Sequence, residues 1–334
     1  MLTRKIPVYL VFLLTTIAAI ITYVVLSSFF QPTILPVQDK SLSRCDISRT
    51  RLSGFQYIHP LLYVDVHCEA ESLLPVKNEL TRLIGNYAAE GTISVAAVYL
   101  RDLNQGDWIS IGENEKFNPG SLMKVPELIC FMKMNQKQPG LLEKRIAYPQ
   151  PLITDKKAHY LSKSIVPGHT YTIRELLYYM IAYSDNNATM VLNQIMDTAV
   201  FKKVFTDLGL QEPNMAAHDI PISAREYSLF MRILYNATYL SNQESEYCTE
   251  LLTHSDFEKG MISGLPANIP VAHKFGEAGD NNNLAHFSES GIIYIGNSPY
   301  LLTVMTKGRS MDNLPSVIAA ITKKTFEQVS SRGI

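Results

Sequence analysis

Hydrophobic positions recur along this chain with a helical period of about 3.6 in some segments and a strand period of about 2 in others. Residues 76–87 and 312–329 carry apolar side chains at helical spacing, which predicts an amphipathic helix in each place. Shorter apolar runs separated by turn residues predict strands. These runs are residues 94–99, 108–111, 270–275, 291–295 and 300–306.

Two helix starts are marked by capping boxes. Thr172 with Glu175, and Ser223 with Glu226, each place a hydroxyl three residues before a glutamate. Each pair predicts a helix directly after it, and the first helix should end near Ala182. Two strands, a helical block, three strands and a final helix indicate an α/β (α+β) fold, in which helices flank one antiparallel sheet.

The N-terminal segment is apolar on all faces. Residues 7–30 contain no charge, and as a helix they would span about 36 Å, enough to cross a hydrocarbon core of about 30 Å. Arg4 and Lys5 precede the run, which favours a cytoplasmic N-terminus. A cleaved signal peptide is the alternative, although residues 26–32 make a poor cleavage site. Both interpretations put the remaining chain outside the cytoplasm.

The expected organisation has four parts. Residues 1–6 form a cytoplasmic stub, and residues 7–30 form a single-pass membrane anchor, an N-terminal transmembrane helix. Residues 31–75 form a tether and an N-terminal extension, and the tether is punctuated by prolines. Residues 76–334 form the functional domain, which we expect on the extracytoplasmic side of the cell membrane.

Composition and charge exclude several classes of protein. Hydrophobic residues make up 46% of the 334 residues, enough to bury a large core. The net charge of -1 offers no global basic field for nucleic acid. No cysteine pair or Cys/His cluster has metal-ligand spacing, so no metal or other cofactor is expected. Cys45 and Cys68 either form a disulfide in an oxidising compartment or remain thiols, and the sequence leaves both open.

The segment around Ser121 carries the first candidate chemistry. A Pro-Gly turn leads into a predicted helix with Ser121 in its first turn, and Lys124 lies three residues on, on the same face. A serine hydroxyl needs a base within hydrogen-bond reach to act as a nucleophile, and a lysine with a lowered pKa can serve. An ordinary helix start with a solvated lysine would give the same pattern.

A second candidate segment is Ser184, Asp185 and Asn186, at the junction of two predicted helices. A hydroxyl and an amide placed there can relay a proton and contact a substrate amide. A simple helix N-cap is the alternative interpretation.

A third segment, Lys274, Phe275 and Gly276, lies at the end of a predicted strand. Glycine lets a substrate backbone approach the strand edge, and the lysine can attract an anion. The alternative is a strand end with a solvated lysine.

Together the three segments resemble the S-x-x-K, S-D-N and K-T-G signature of class A β-lactamases and penicillin-binding proteins, in order and approximate spacing. The resemblance covers residues 76–330 and implies a sheet domain plus an all-helical subdomain, with the site between them. It also implies an oxyanion hole formed by the backbone N–H groups of Ser121 and Glu277. The other implied roles are nucleophile for Ser121, base for Lys124, proton relay for Ser184, substrate contact for Asn186 and electrostatic anchor for Lys274.

The first departure from that family concerns deacylation. Class A enzymes hold a deacylating glutamate in an omega-shaped loop, but here the corresponding connection, residues 209–221, is too short for that loop. Glu212 is the one candidate base in it, and a surface turn is the alternative interpretation. Without such a base the acyl-enzyme should be long-lived, as in a penicillin-binding protein.

The second departure concerns substrate binding. Phe275 stands where the family has a hydroxyl that binds the substrate carboxylate, and phenylalanine donates no hydrogen bond. Glu277 adds a carboxylate that would repel an anionic substrate if it faces the cleft. We therefore expect Lys274, Phe275, Gly276 and Glu277 to form an altered substrate-binding edge.

Three functional hypotheses follow. The first is a membrane-anchored serine hydrolase or acyltransferase that forms an acyl-enzyme on Ser121 with a β-lactam or a peptidoglycan stem peptide. The second is a binding or scaffold module that retains the fold but has impaired catalysis. The third is an esterase or amidase acting on an uncharged substrate. A true β-lactamase, with Glu212 as its deacylating base, is a further alternative to the first. The sequence does not indicate an oligomeric state.

Overall fold

The computed structural model describes residues 37–39, 45–152, 158–216, 220–279 and 283–331. The predicted anchor, residues 7–30, lies outside these ranges. Within them, no helix has the length and apolar character needed to cross a bilayer.

A five-stranded antiparallel sheet organises the molecule, with strand order β5-β4-β10-β9-β8. All five strands correspond to runs predicted from the sequence. Strands β4, β8 and β10 extend beyond their predicted ends, and β9 begins earlier and ends earlier than predicted. Their bounds are β4 Val95–Asp102, β5 Trp108–Ile111, β8 Val271–Gly279, β9 Ala285–Ile293 and β10 Tyr300–Gly308.

Two helices cover one face of this sheet. Helix α1, Leu74–Ala89, packs against helix α8, Leu314–Ser330. Helix α1 contacts β5, α8 contacts β9 and β10, and their apolar side chains share one core with those of the sheet. Both helices were predicted from periodicity. Because sheet side chains alternate between faces, Val98 and Leu302 point to this layer, whereas Ala97 and Leu301 point to the other.

A helical layer covers the opposite face. Its core combines residues of the helices with Ala97, Tyr99 and Leu301 of the sheet. The capping boxes at Thr172 and Ser223 are both formed. The helices of this layer are α2 Lys124–Lys137, α3 Ile173–Ala182, α4 Asn186–Asn193, α5 Thr198–Asp207, α6 Ala224–Tyr235 and α7 Asn242–Thr253. A small sheet of β6, Arg145–Tyr148, and β7, His169–Thr172, precedes α3.

The N-terminal extension folds onto the domain as a third sheet. It consists of β1 Val37–Asp39, β2 Ile47–Arg51 and β3 Leu61–Val66. Cys45 and Cys68 form a disulfide across its base, which resolves the choice that the sequence left open. The expected tether therefore contains a strand, because β1 pairs with β2 along its whole length.

Candidate active site

Ser121 lies in a single 3-10 turn, Gly120–Met123, that leads directly into α2. The turn is held from several sides. Phe117 exchanges two backbone hydrogen bonds of 3.0 Å with Ile222, and the buried Tyr227 hydroxyl donates to the Leu122 carbonyl at 2.8 Å. These contacts fix the turn on the rigid domain, as a site that positions reacting atoms requires.

Two glycines let strand β8 pass directly against this turn. A Cβ added at Gly276 would lie 2.2 Å from the Pro119 carbonyl oxygen and 3.1 Å from the Ser121 nitrogen. A Cβ added at Gly120 would lie 2.2 Å from the Glu277 carbonyl oxygen. Any side chain at either position would collide with backbone. The approach brings the backbone N–H groups of Ser121 and Glu277 to the same edge, as an oxyanion hole requires.

Lys124, the first residue of α2, points away from solvent and into the junction between α3 and α4. Its Nζ donates to the Ser184 carbonyl at 2.6 Å and to the Asn186 Oδ1 at 2.8 Å, and it lies 3.2 Å from the Ser184 Oγ. Lys124 is buried, so the solvated-lysine interpretation is wrong for this residue.

Lys274 reaches the same hydroxyl from the opposite side. Its Nζ lies 2.9 Å from the Ser184 Oγ and 2.9 Å from the Phe275 carbonyl oxygen, and the residue is fully buried. Burial, and then repulsion by the Lys124 ammonium, hold the pKa of Lys274 well below its usual range. The Ser184 hydroxyl thus connects two buried amines, one of which loses its proton more readily than an exposed lysine would.

Asp185 has a structural role between these functional groups. Its carboxylate caps α4 by accepting from the Asn187 backbone, as the N-cap interpretation predicts. It also accepts from the Ser164 hydroxyl at 2.8 Å and from the Ile165 backbone at 2.9 Å. Asp185 therefore ties the segment before β7 to the rim of the cleft.

That segment, residues 158–166, forms one wall of the cleft beside Ser121. Glu277 holds it, because the Glu277 Oε1 accepts from the backbone of His159 at 2.9 Å and of Tyr160 at 3.4 Å. The other carboxylate oxygen of Glu277 is buried without a hydrogen bond, and burial raises the pKa of this group. Ser121, Ser184 and this wall line one small cleft.

The structure changes the interpretation of Phe275. Successive strand residues point to opposite faces, so Phe275 does not share the orientation of Lys274. Its ring is buried and stacks on Phe257 with centroids 4.1 Å apart, next to Phe287. Phe275 does not line the cleft beside Ser121. Its ring is part of the core, and it also contacts the site from behind, because the Lys274 Nζ lies 4.2 Å from the ring centroid.

Glu212 is not brought to the site. Its carboxylate pairs with Lys202 at 2.8 Å and lines a separate cavity together with Lys116 and Phe205. It is absent from the residues that line the cleft at Ser121. The surface-turn interpretation therefore describes Glu212 better than that of a deacylating base.

Two residues near the site were missed by sequence reasoning. Glu127, one turn after Lys124, is buried, and one of its oxygens has no hydrogen bond. Burial raises the pKa of Glu127 to about 7, although the Lys124 charge opposes the shift. Its position three residues after Lys124, on the same helix face, is the sequence feature that could have indicated it. Lys163 also lines the cleft, over the Tyr183 ring at 5.0 Å, and no motif marks it.

The sheet, the helical layer and the three segments that meet between them define the class of β-lactamase-like and penicillin-binding-protein-like serine hydrolases. A family model described as the β-lactamase enzyme family matches residues 75–329. The match covers most of the chain, so the chain belongs to this family.

Individual relatives agree with this class. The chain is 25% identical to β-lactamase VEB-1 of Pseudomonas aeruginosa over 241 residues, which cover 67% of this chain and 77% of that protein. A structure of PBP-A as an acyl-enzyme with penicillin G covers 78% of this chain and 97% of that one, with 20% identity and a TM-score of 0.63. A β-lactamase from Chitinophaga pinensis covers 76% and 99%, with 21% identity and the same TM-score. These two structures share the fold.

Proposed function

We propose that the protein is a membrane-anchored serine hydrolase or acyltransferase that forms an acyl-enzyme on Ser121 with a β-lactam or a cell-wall-type peptide. The observation that carries the proposal is the convergence of Lys124 and Lys274 on the Ser184 hydroxyl, at 3.2 and 2.9 Å. A purely structural core gains little from two buried amines around one hydroxyl, because burial of charge is costly.

In the proposed reaction the Ser121 Oγ bonds to the carbonyl carbon of the substrate, and the carbon–nitrogen bond of the amide breaks. The hydroxyl proton passes to the amine of Lys124 once that amine has lost its own proton. Ser184 then relays a proton to the leaving nitrogen, so that charge and atoms balance. The backbone N–H groups of Ser121 and Glu277 stabilise the negative oxygen that develops at the carbonyl.

Deacylation should be slow. Among the described residues, no carboxylate other than those of Asp185 and Glu277 lines the cleft. Asp185 is occupied as a helix cap, and Glu277 holds the backbone of residues 159–160. The second oxygen of Glu277 has no hydrogen bond but is buried, so neither carboxylate is placed to activate a hydrolytic water as a general base. The acyl-enzyme should therefore persist, which favours a penicillin-binding-protein-like role over efficient β-lactam hydrolysis.

The experiment is covalent labelling of the purified full chain with a fluorescent penicillin. We expect one equivalent of a stable adduct at Ser121, and we expect Ser121→Ala to lose it. Ser162→Ala is the matched control, because Ser162 lines the same cleft outside the three motifs, and it should still be labelled.

The remaining outcomes separate the alternatives. Labelling by an activated neutral ester but not by penicillin would favour the esterase or amidase, consistent with the Glu277 carboxylate at the cleft. No adduct with either reagent would favour the binding or scaffold module. Rapid loss of the penicillin adduct would overturn slow deacylation.

A further inference from the structure

The loop between β2 and β3 presents the densest group of exposed apolar side chains among the described residues. Phe55 is 47% exposed, Tyr57 87% and Ile58 56%, and Leu61 adjoins them. These are four of the nine large hydrophobic residues that are exposed in the described part of the chain. Scattered exposed apolar residues are normal, but a contiguous group marks an interaction surface.

This apolar loop, residues 52–60, is ordered at its base. The Leu52 backbone donates to the Pro60 carbonyl at 2.9 Å, and Arg51 donates to the His59 carbonyl at 2.6 Å. Residues 52–64 include no lysine, arginine, aspartate or glutamate. The base of the loop is thus held in place, and its tip is uncharged and exposed.

The strand register shows which end of the molecule carries this loop. In the antiparallel pair of β1 and β2, Val37 lies opposite Arg49 and Asp39 lies opposite Ile47. The start of β1 is therefore at the same end of the sheet as the apolar loop. The apolar N-terminal run ends at residue 30, and the seven residues from there to Val37 reach at most about 24 Å.

We propose that the tip of the apolar loop inserts into the headgroup–acyl boundary of the membrane that residues 7–30 span. The proposal rests on the membrane anchor in the proposed function. Tyrosine and phenylalanine suit this boundary, because a ring can be buried while a polar end stays hydrated. Arg49 and Arg51 precede the loop, and in the inserted state they could contact lipid phosphates.

A second membrane contact would restrict the tilt of the domain. An anchor alone leaves the domain free to rotate on its link, whereas an anchor and a loop at the same end fix two points. The second contact is intramolecular once the anchor is inserted, so a small apolar tip is sufficient. The cleft at Ser121 would then stay at a constant height above the bilayer.

The test uses the full chain in phosphatidylcholine–phosphatidylglycerol vesicles, with an environment-sensitive dye on Tyr57→Cys. The dye should not react with the native cysteines, because Cys130 and Cys248 are buried and Cys45 is bonded to Cys68. We expect the emission to shift to shorter wavelength and to be quenched by lipids brominated in their acyl chains. The matched control is Val166→Cys, an exposed apolar position in another segment, which should show neither effect.

A second variant tests whether the apolar side chains of the loop cause the quenching. Phe55→Ser/Ile58→Ser in the Tyr57→Cys background should lose most of the quenching, while covalent labelling at Ser121 by penicillin stays unchanged. Retained labelling at Ser121 shows that this variant is folded.

The outcomes distinguish the two proposals. Chains that float with the vesicles but give no quenching at residue 57 overturn the loop contact and leave the anchor standing. A wavelength shift without bromolipid quenching indicates a protein partner or a second copy, and also overturns it. Chains that do not float with the vesicles overturn the anchor and the loop contact together. The proposed acyl-enzyme is tested independently, by covalent labelling of Ser121.

Discussion

At the scale of single residues, Ser184 has the least common backbone in the site. Its φ of 52° lies in the left-handed region, which is unfavourable for a residue with a side chain. This conformation turns both its carbonyl and its hydroxyl towards Lys124. Such strain costs about 1–3 kcal/mol and persists where the surroundings impose it, commonly at functional sites.

Glu127 should make stability depend on pH. Burial raises its pKa to about 7, so the folded state binds this proton more tightly than the unfolded state. Stability should therefore fall as pH rises from about 4.5 to about 7, by an amount on the order of 2–3 kcal/mol. Urea unfolding of the wild type and Glu127→Gln at pH 5 and pH 8 measures this, and the variant should lack most of the fall.

The same substitution should affect Lys124. An ionised Glu127 favours the ammonium form of the lysine, and its removal favours the neutral amine. The pH profile for acylation of Ser121 should shift to lower pH in Glu127→Gln. For the stability prediction, an identical pH dependence of the free energy of unfolding in the wild type and in Glu127→Gln would contradict the raised pKa of Glu127.

The contact between Gly276 and the Ser121 turn gives a steric prediction. In Gly276→Ala the added methyl would lie 2.2 Å from the Pro119 carbonyl, so the strand must move away from the turn. We expect acylation at Ser121 to fall at least about tenfold, because misplacing catalytic groups by about 1 Å is costly. Stopped-flow acylation by a chromogenic β-lactam measures the loss.

Gly279→Ala is its control on the same strand. There the nearest atom to an added Cβ is the Leu284 carbonyl oxygen at 3.8 Å, an ordinary contact. This variant should acylate at the wild-type rate. Equal losses in Gly276→Ala and Gly279→Ala would attribute the effect to the strand in general, and not to the Ser121 turn.

At the scale of elements, the cleft lies between β8 and the segment of residues 158–166. The segment is fixed at several points. His159 pairs with Asp312 at 2.7 Å, and the Tyr160 ring packs on Phe257 with centroids 5.1 Å apart. Because this segment lines the cleft beside Ser121, its position sets the room available to a substrate.

Glu277 should control the position of this segment and the charge preference of the cleft. Glu277→Ala removes both the charge and the acceptor for the backbone of His159 and Tyr160, whereas Glu277→Gln removes only the charge. Both variants should be acylated faster by an anionic β-lactam. Only Glu277→Ala should also be acylated faster by a bulky neutral ester. Acylation rates with the two reagents check this, and equal ester rates in both variants would contradict the holding role.

The pH dependence of this preference follows from the raised pKa of Glu277. Lowering the pH neutralises the carboxylate, so the rate with an anionic β-lactam should rise relative to the rate with a neutral ester. The ratio should be flat with pH in Glu277→Gln. Groups whose titration changes both acylation rates equally do not change this ratio.

Elements with strong local signals were predicted well. Helix α3 has its predicted bounds because its capping box and apolar face act over a few residues. Strand β9 was predicted at residues 291–295 but spans Ala285–Ile293, since its first half contains buried polar residues. Ser290 is hydrogen-bonded to Thr303 at 2.7 Å on the neighbouring strand. Such satisfied polar positions break the apolar pattern that marks a strand.

At the scale of the whole molecule, Asp65 fastens the N-terminal sheet to the domain. It pairs with Arg232 at 2.7 Å and lies within 4 Å of Arg101 and Arg225. Arg232 is almost completely buried, so Asp65→Ala would leave an uncompensated charge. We expect a loss of about 3 kcal/mol in the free energy of unfolding, measured with urea.

Asp46→Ala is the matched control for this prediction. Asp46 belongs to the same N-terminal region but is exposed, so its substitution should change stability by less than about 0.5 kcal/mol. A loss in Asp65→Ala no larger than that in Asp46→Ala would show that the charge cluster does not fasten the sheet.

The sequence by itself determined the order of the three motifs, both capping boxes and the alternation of strands and helices, because these depend on residues close together in the chain. The positions of Ser121, Lys124, Ser184 and Lys274 in one site matched the expectation that came with the family resemblance.

Only the tertiary structure decided which side chains lie there. In the folded protein Glu127 and Phe275 are buried, Glu212 lines a separate cavity, and Glu277 accepts a hydrogen bond from the backbone of His159. Burial and contacts between distant segments set these outcomes. Neither is encoded by spacing along the chain, because both depend on how the sheet and the helical layer pack together.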